Sequence, residues 1–158
     1  VGLGLDQPAQ AWPAQLDGRV HVAGFSGSGF SAGASGCGAV SFADRAAEAV
    51  ASGGPDALVV VEGGLNDFDQ PGADIAAGFE RLMTELDGAE VVVVGPVTAP
   101  SRAARVPRVD RLLAQLSRAY GVPYLRTSHL DLPYLEDRLH LTAAGHRELG
   151  RFVAERLG

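Results

Sequence analysis

The chain has 158 residues with a net charge of −6 and a pI near 5.1. Hydrophobic residues make up 46% and charged residues 20%, the composition of an ordinary globular protein, and the acidic balance offers no basic field to draw in nucleic acid. No apolar run reaches the ~18 residues of a membrane span. Cys37 is the only cysteine, which excludes an intrachain disulfide and fits a reducing compartment.

In chain order, "VGLGLDQPAQAW" opens without an initiator Met or a leader and reads like the middle of a domain. "RVHVAGF" (19–25) is short and β-branched and predicts a strand. "GAVSFADRAAEAVAS" (38–52) predicts a helix with Val40, Ala43, Ala47 and Val50 on one face. "ALVVVEG" (57–63) is a continuous apolar run, as for a strand buried on both faces. "PGADIAAGFERLMTELDG" (71–88) predicts a helix with Ile75, Phe79, Leu82 and Leu86 as its stripe, ending at Gly88. "EVVVVGP" (90–96) predicts a second buried strand. "PRVDRLLAQLSRAYG" (107–121) starts on Pro and stops on Gly. "VPYLRT" (122–127) predicts a short strand, and "TAAGHRELGRFVAERLG" (142–158) a last helix capped by Thr142.

Four strands alternating with helices predict an α/β fold with a parallel sheet. Ligands in such sheets bind beyond the carboxyl ends of the strands. The loops 24–36, 63–70, 96–105 and 128–141 are therefore the places to look.

The first loop, "GFSGSGFSAGASG", fits two motifs poorly. Gly29-Phe30-Ser31-Ala32-Gly33 matches the nucleophile elbow G-x-S-x-G, which needs a strand feeding straight into a turn and a helix. Here several residues separate Phe25 from Ser31, and helical character resumes only near Gly38. Gly27-Ser28-Gly29-Phe30-Ser31-Ala32 matches a dinucleotide fingerprint, which needs a helix inside the motif and an acid closing the next strand. Asp44 and Glu48, at the right distance, sit in a helical stretch.

Read with "GGLND" (63–67) and "DRLHLTAAGH" (137–146), the loop resembles one of three blocks of the SGNH (GDSL-type) hydrolase family. The resemblance covers nearly the whole chain. It implies a flavodoxin-like three-layer α/β/α sandwich in a single domain over 1–158, and hydrolysis of a small-molecule ester by a serine acyl-enzyme. It also implies roles. His140 is the general base, oriented by Asp137. The N–H of Gly27 and the side-chain amide of Asn66 form the oxyanion hole. No metal or organic cofactor is implied. Asp67 is expected to order its loop by accepting backbone N–H bonds.

By spacing alone, Asp137 and His140 read as a solvated acid and a histidine packed near a helix start. Asn66 alone fits a turn after a strand. His21 is expected to be structural within its strand. His146 stands six residues from His140, which is not the i, i+4 spacing of a helical metal site. His129 with Asp131 is the alternative dyad. Arg102 and Arg105 read as solvated loop charges that could also greet an acidic leaving group.

The family's first block, G-D-S, carries the nucleophilic serine and is not found in this sequence. The resemblance puts that serine, and the strand before it, ahead of Val1. Two expectations compete. Either a further segment or another chain pairs beside "RVHVAGF" and "ALVVVEG", or the protein lacks the nucleophile or recruits Ser26, Ser28 or Ser31. A chain that began at Val1 would have open strand edges and low stability. The same site could run acyl transfer, and a doubly wound fold without a working serine could serve as a binding module.

Overall fold

The computed structural model describes residues 4–54 and 56–158; Val1, Gly2 and Leu3 of the opening stretch lie outside the described residues. Three parallel strands, β1 (Leu58–Glu62), β2 (Glu90–Val94) and β3 (Tyr124–Leu125), form a sheet in the order β1-β2-β3. The register pairs Val60 with Val92 and Val93 with Tyr124. Four helices flank it: α1 (Phe42–Gly53), α2 (Gly72–Glu85), α3 (Val106–Ala119) and α4 (Ala143–Leu157).

Valine runs make β1 and β2 because branched side chains fit a pleated surface packed on both sides. Successive residues point to opposite faces, so the sheet nucleates two cores. Val61 and Val93 join Ala43 and Ala46 of α1, Ile75, Phe79 and Leu82 of α2, and Val109 and Leu113 of α3. On the other face Val94 joins Trp12, Leu149 and Val153 of α4. This is a three-layer sandwich. Full burial of one such side chain as Phe79 stabilises the fold by roughly 1.5–3 kcal/mol.

The helix ends follow their signals. Ser41 and Asp44 form a capping box on α1. Thr142 caps α4, its hydroxyl accepting from the Gly145 N–H at 3.2 Å. Pro107 sits in the first turn of α3.

Three expectations are corrected. Residues 19–25 form no strand; they run as irregular, exposed chain, with Val20, Val22 and Phe25 39%, 56% and 43% exposed. A strand exists only through a hydrogen-bonded neighbour, and no described strand pairs with this segment. His21 accordingly lies on exposed loop rather than within a strand. Second, β1 packs on both faces but is incompletely buried: only Val61 of its five residues is buried. It is the edge of the described sheet. Third, Ala47 faces solvent, and α1 is buried through Ala43 and Ala46. A helix rich in alanine carries little periodic signal, so packing against α2 sets its face.

Between residues 19–25 and β1 lies a cleft of ≈ 1220 Å³. Side chains of β1, α1 and α4 line it, and so does the loop after β1. Its open end leads to the residues described next.

Candidate active site

The loop after β1 turns sharply at Gly64 and carries Asn66 and Asp67. Asp67 is fully buried, and its two carboxylate oxygens accept the N–H groups of Phe30 and Ser31 at 3.0 and 2.8 Å. Burial raises its pKa; the two N–H bonds work against that rise. Asp67 thus accepts backbone N–H bonds, as expected, but from the neighbouring loop and not from its own. Phe30 completes the anchorage, stacked on Phe79 at 5.5 Å and edge-on to Phe42 at 5.0 Å.

That anchorage presents a turn. The Ser28 N–H closes onto the Phe25 carbonyl at 3.2 Å, and Gly27 between them has φ +84°. An L side chain rarely takes that conformation, so glycine is needed here. The Gly27 N–H has no acceptor among the described residues. The serines of this loop are committed elsewhere. Ser31 is buried, its hydroxyl accepting from Gly33 and bonding Gln70. The Ser28 hydroxyl donates to the Val40 carbonyl and accepts from Arg45. Ser26 stays exposed at the turn.

The Asn66 amide is held at both ends. Its Nδ2 donates to the Ser28 carbonyl at 2.8 Å, and its Oδ1 accepts from Arg102 Nη1 at 2.9 Å. One N–H of Nδ2 is left over. Arg102 is therefore not the solvated loop charge expected. It also donates to the Leu65 carbonyl and stacks on Phe68 at 4.3 Å. No local sequence signal could have found this, because the partners lie 36 residues apart.

Asp137 and His140 meet. His140 Nδ1 lies 2.6 Å from Asp137 Oδ2. The other oxygen, Oδ1, accepts the N–H groups of Leu139 and His140 at 2.9 and 3.0 Å. One carboxylate thus shapes the turn and orients the ring. These bonds, the imidazole first, lower the Asp137 pKa to about 2. Arg138 takes φ +57°, an uncommon backbone state for a non-glycine residue, and its carbonyl is held by the Ser101 N–H at 3.0 Å. An antiparallel bridge between Tyr134 and Leu141 closes the loop's base. With Nδ1 engaged, Nε2 is the imidazole's free nitrogen. His140, Asn66, Gly27, Ser26 and Arg102 all line the one cleft.

The remaining histidines go elsewhere. His146 is buried on α4, its Nδ1 accepting from the Trp12 N–H at 3.3 Å, and burial lowers its pKa. His129 packs its ring against Phe152 at 5.6 Å, so the alternative dyad with Asp131 is not assembled.

Comparison with known proteins gives the family and the fold. The sequence profile of the GDSL-like Lipase/Acylhydrolase family matches residues 1–148. The chain belongs to that family. Membership supports ester hydrolysis in general terms for this GDSL-like acylhydrolase. The native aryl esterase of Mycobacterium smegmatis superposes with a TM-score of 0.77 at 21% identity, over 97% of this chain and 86% of that one. A carbohydrate acetylesterase family member from Sinorhizobium meliloti reaches 0.79 at 19% identity, over 98% and 88%. At such identities the likeness is one of fold: a parallel sheet with flanking helices. A search of curated proteins finds no match.

Proposed function

We propose that this acylhydrolase cleaves carboxylic esters through a serine acyl-enzyme. His140 Nε2 takes the proton of the attacking hydroxyl, Oγ bonds to the acyl carbon, and the carbonyl electron pair moves onto oxygen. Asp137 keeps Nδ1 protonated and stabilises the imidazolium. The Gly27 N–H and the spare Asn66 Nδ2–H receive the oxyanion, each such donor being worth about 2.7–4 kcal/mol in the transition state. Collapse expels the alkoxide, which takes the proton back from Nε2. Water then repeats the sequence and frees the acid.

The observation that carries the reading is the 2.6 Å Asp137–His140 bond on a cleft that Gly27 and Asn66 also line. The nucleophile is assigned to the G-D-S serine that the family pattern puts ahead of Val1, since Ser28 and Ser31 have committed hydroxyls. No metal or organic cofactor enters these steps. The relatives' names make aryl and sugar acetates the first substrates to try.

The test is covalent labelling of the natural protein with a fluorophosphonate, read by intact mass and peptide mapping. A single adduct on a G-D-S serine is expected. An adduct on Ser26 reassigns the nucleophile, and no adduct at all leaves a binding module.

A further inference from the structure

The 3-10 turn Pro100–Arg102 follows β2 and touches both halves of the site. Its Ser101 N–H holds the Arg138 carbonyl, inside the turn that joins Asp137 to His140. Its Arg102 side chain holds the Leu65 carbonyl at 2.8 Å and the Asn66 Oδ1 at 2.9 Å. The Phe68 ring supports the guanidinium from one face.

A side-chain amide has two ends alike in shape and opposite in hydrogen-bonding sense. A guanidinium has donors only. Against Arg102, the oxygen end of Asn66 is the only end that fits. The nitrogen end must then face the Ser28 carbonyl, where it donates at 2.8 Å. We propose that Arg102 is a positioning residue: it fixes the Asn66 amide so that Nδ2–H, not Oδ1, faces the oxyanion, in register with the His140 turn. Arg102 acts through Asn66 and does not itself contact the acyl group. The kinetic consequence rests on the ester reading above; the amide orientation does not. Without Arg102 the Ser28 carbonyl is the amide's one remaining partner, so the oxygen end is no longer held and the preorganisation of Nδ2–H is weakened.

Two readouts test this. The first is the Asn66 side-chain amide in ¹⁵N-labelled protein. Wild type is expected to give two well-separated, slowly exchanging proton signals. Arg102→Met keeps the apolar stem and removes the donors, and the Asn66 signals should shift and move closer together as the oxygen end is released. Arg102→Lys retains a donor and should keep the wild-type pattern. Unchanged Asn66 signals in Arg102→Met overturn the proposal.

The second readout is turnover of p-nitrophenyl acetate by the natural protein. Arg102→Met should lower kcat about tenfold with KM within about twofold, and Arg102→Lys should restore most of it. Asn66→Ala should lower kcat by about 10²–10³. Adding Arg102→Met to Asn66→Ala should then cost less than about twofold more, because the arginine has nothing left to position. An equal loss in both backgrounds overturns the proposal. Arg102→Leu, which also lacks a donor, replaces the Met variant if that one does not fold. If the wild type turns over no ester, the ester reading fails, and the amide spectrum still decides the positioning claim.

Discussion

At the residue scale the decisive feature is one carboxylate with two tasks. Asp137 closes its turn with Oδ1 and orients His140 with Oδ2. Its pKa falls from 3.8 to about 2, the imidazole bond being the largest cause. The lowered value sets the direction of linkage. The contribution of these bonds is complete above about 3.8 and is lost as pH falls toward 2. A ¹³C titration of the Asp137 carboxyl should show a midpoint near 2, and His140→Ala should move it up toward 3.8. A midpoint near 3.8 in the wild type would mean that the pair is not formed in solution. In the sequence, Asp137 and His140 were visible as a motif but not as a contact, since a three-residue spacing leaves the turn undetermined. Arg102 was misread because its partners are distant in the chain and nothing beside it marks them.

At the element scale, the loop that carries Gly27 and Phe30 is built on a helix. A Cβ at Gly78 of α2 would lie 1.9 Å from the Phe30 carbonyl oxygen, so the helix backbone touches the loop directly. Alanine is favoured over glycine inside a helix by about 0.8–1.0 kcal/mol. Overpacking against a backbone atom costs about 1–3 kcal/mol. The clash wins, and Gly78→Ala should lower stability by urea unfolding despite the gain in helix propensity. A raised midpoint would show that the loop does not rest on α2. The stripe of α2 was legible because Ile75, Phe79, Leu82 and Leu86 are large and evenly spaced, and all four are buried. The face of α1 was not legible, because alanines report their phase weakly. The strand expected at 19–25 shows the same limit: β-branched content favours a strand, but only a neighbour makes one.

At the scale of the whole molecule, no described strand pairs with the outer side of β1. β1 and the irregular segment 19–25 line the cleft together, and Val20, Val22, Phe25 and Leu58 are exposed there. For these 158 residues, amide exchange should divide sharply. Amides of 19–25 should exchange at the rates of unstructured peptide, while those of Val93 and Val94, fully buried in β2, should exchange only on global unfolding. Protection of 19–25 as strong as that of β2 would show this segment to be paired. The parallel, layered architecture was readable from the alternation of apolar runs and helical periods. The number of strands was not, because pairing is a property of the assembled sheet.

The central claim is that the histidine paired with Asp137 drives ester cleavage. The most direct measurement is p-nitrophenyl acetate hydrolysis by the natural protein beside its His140→Ala variant, both checked for folding. A fall in kcat of about 10³-fold or more is expected when a general base of this kind is removed. Equal rates in the two proteins would contradict the account.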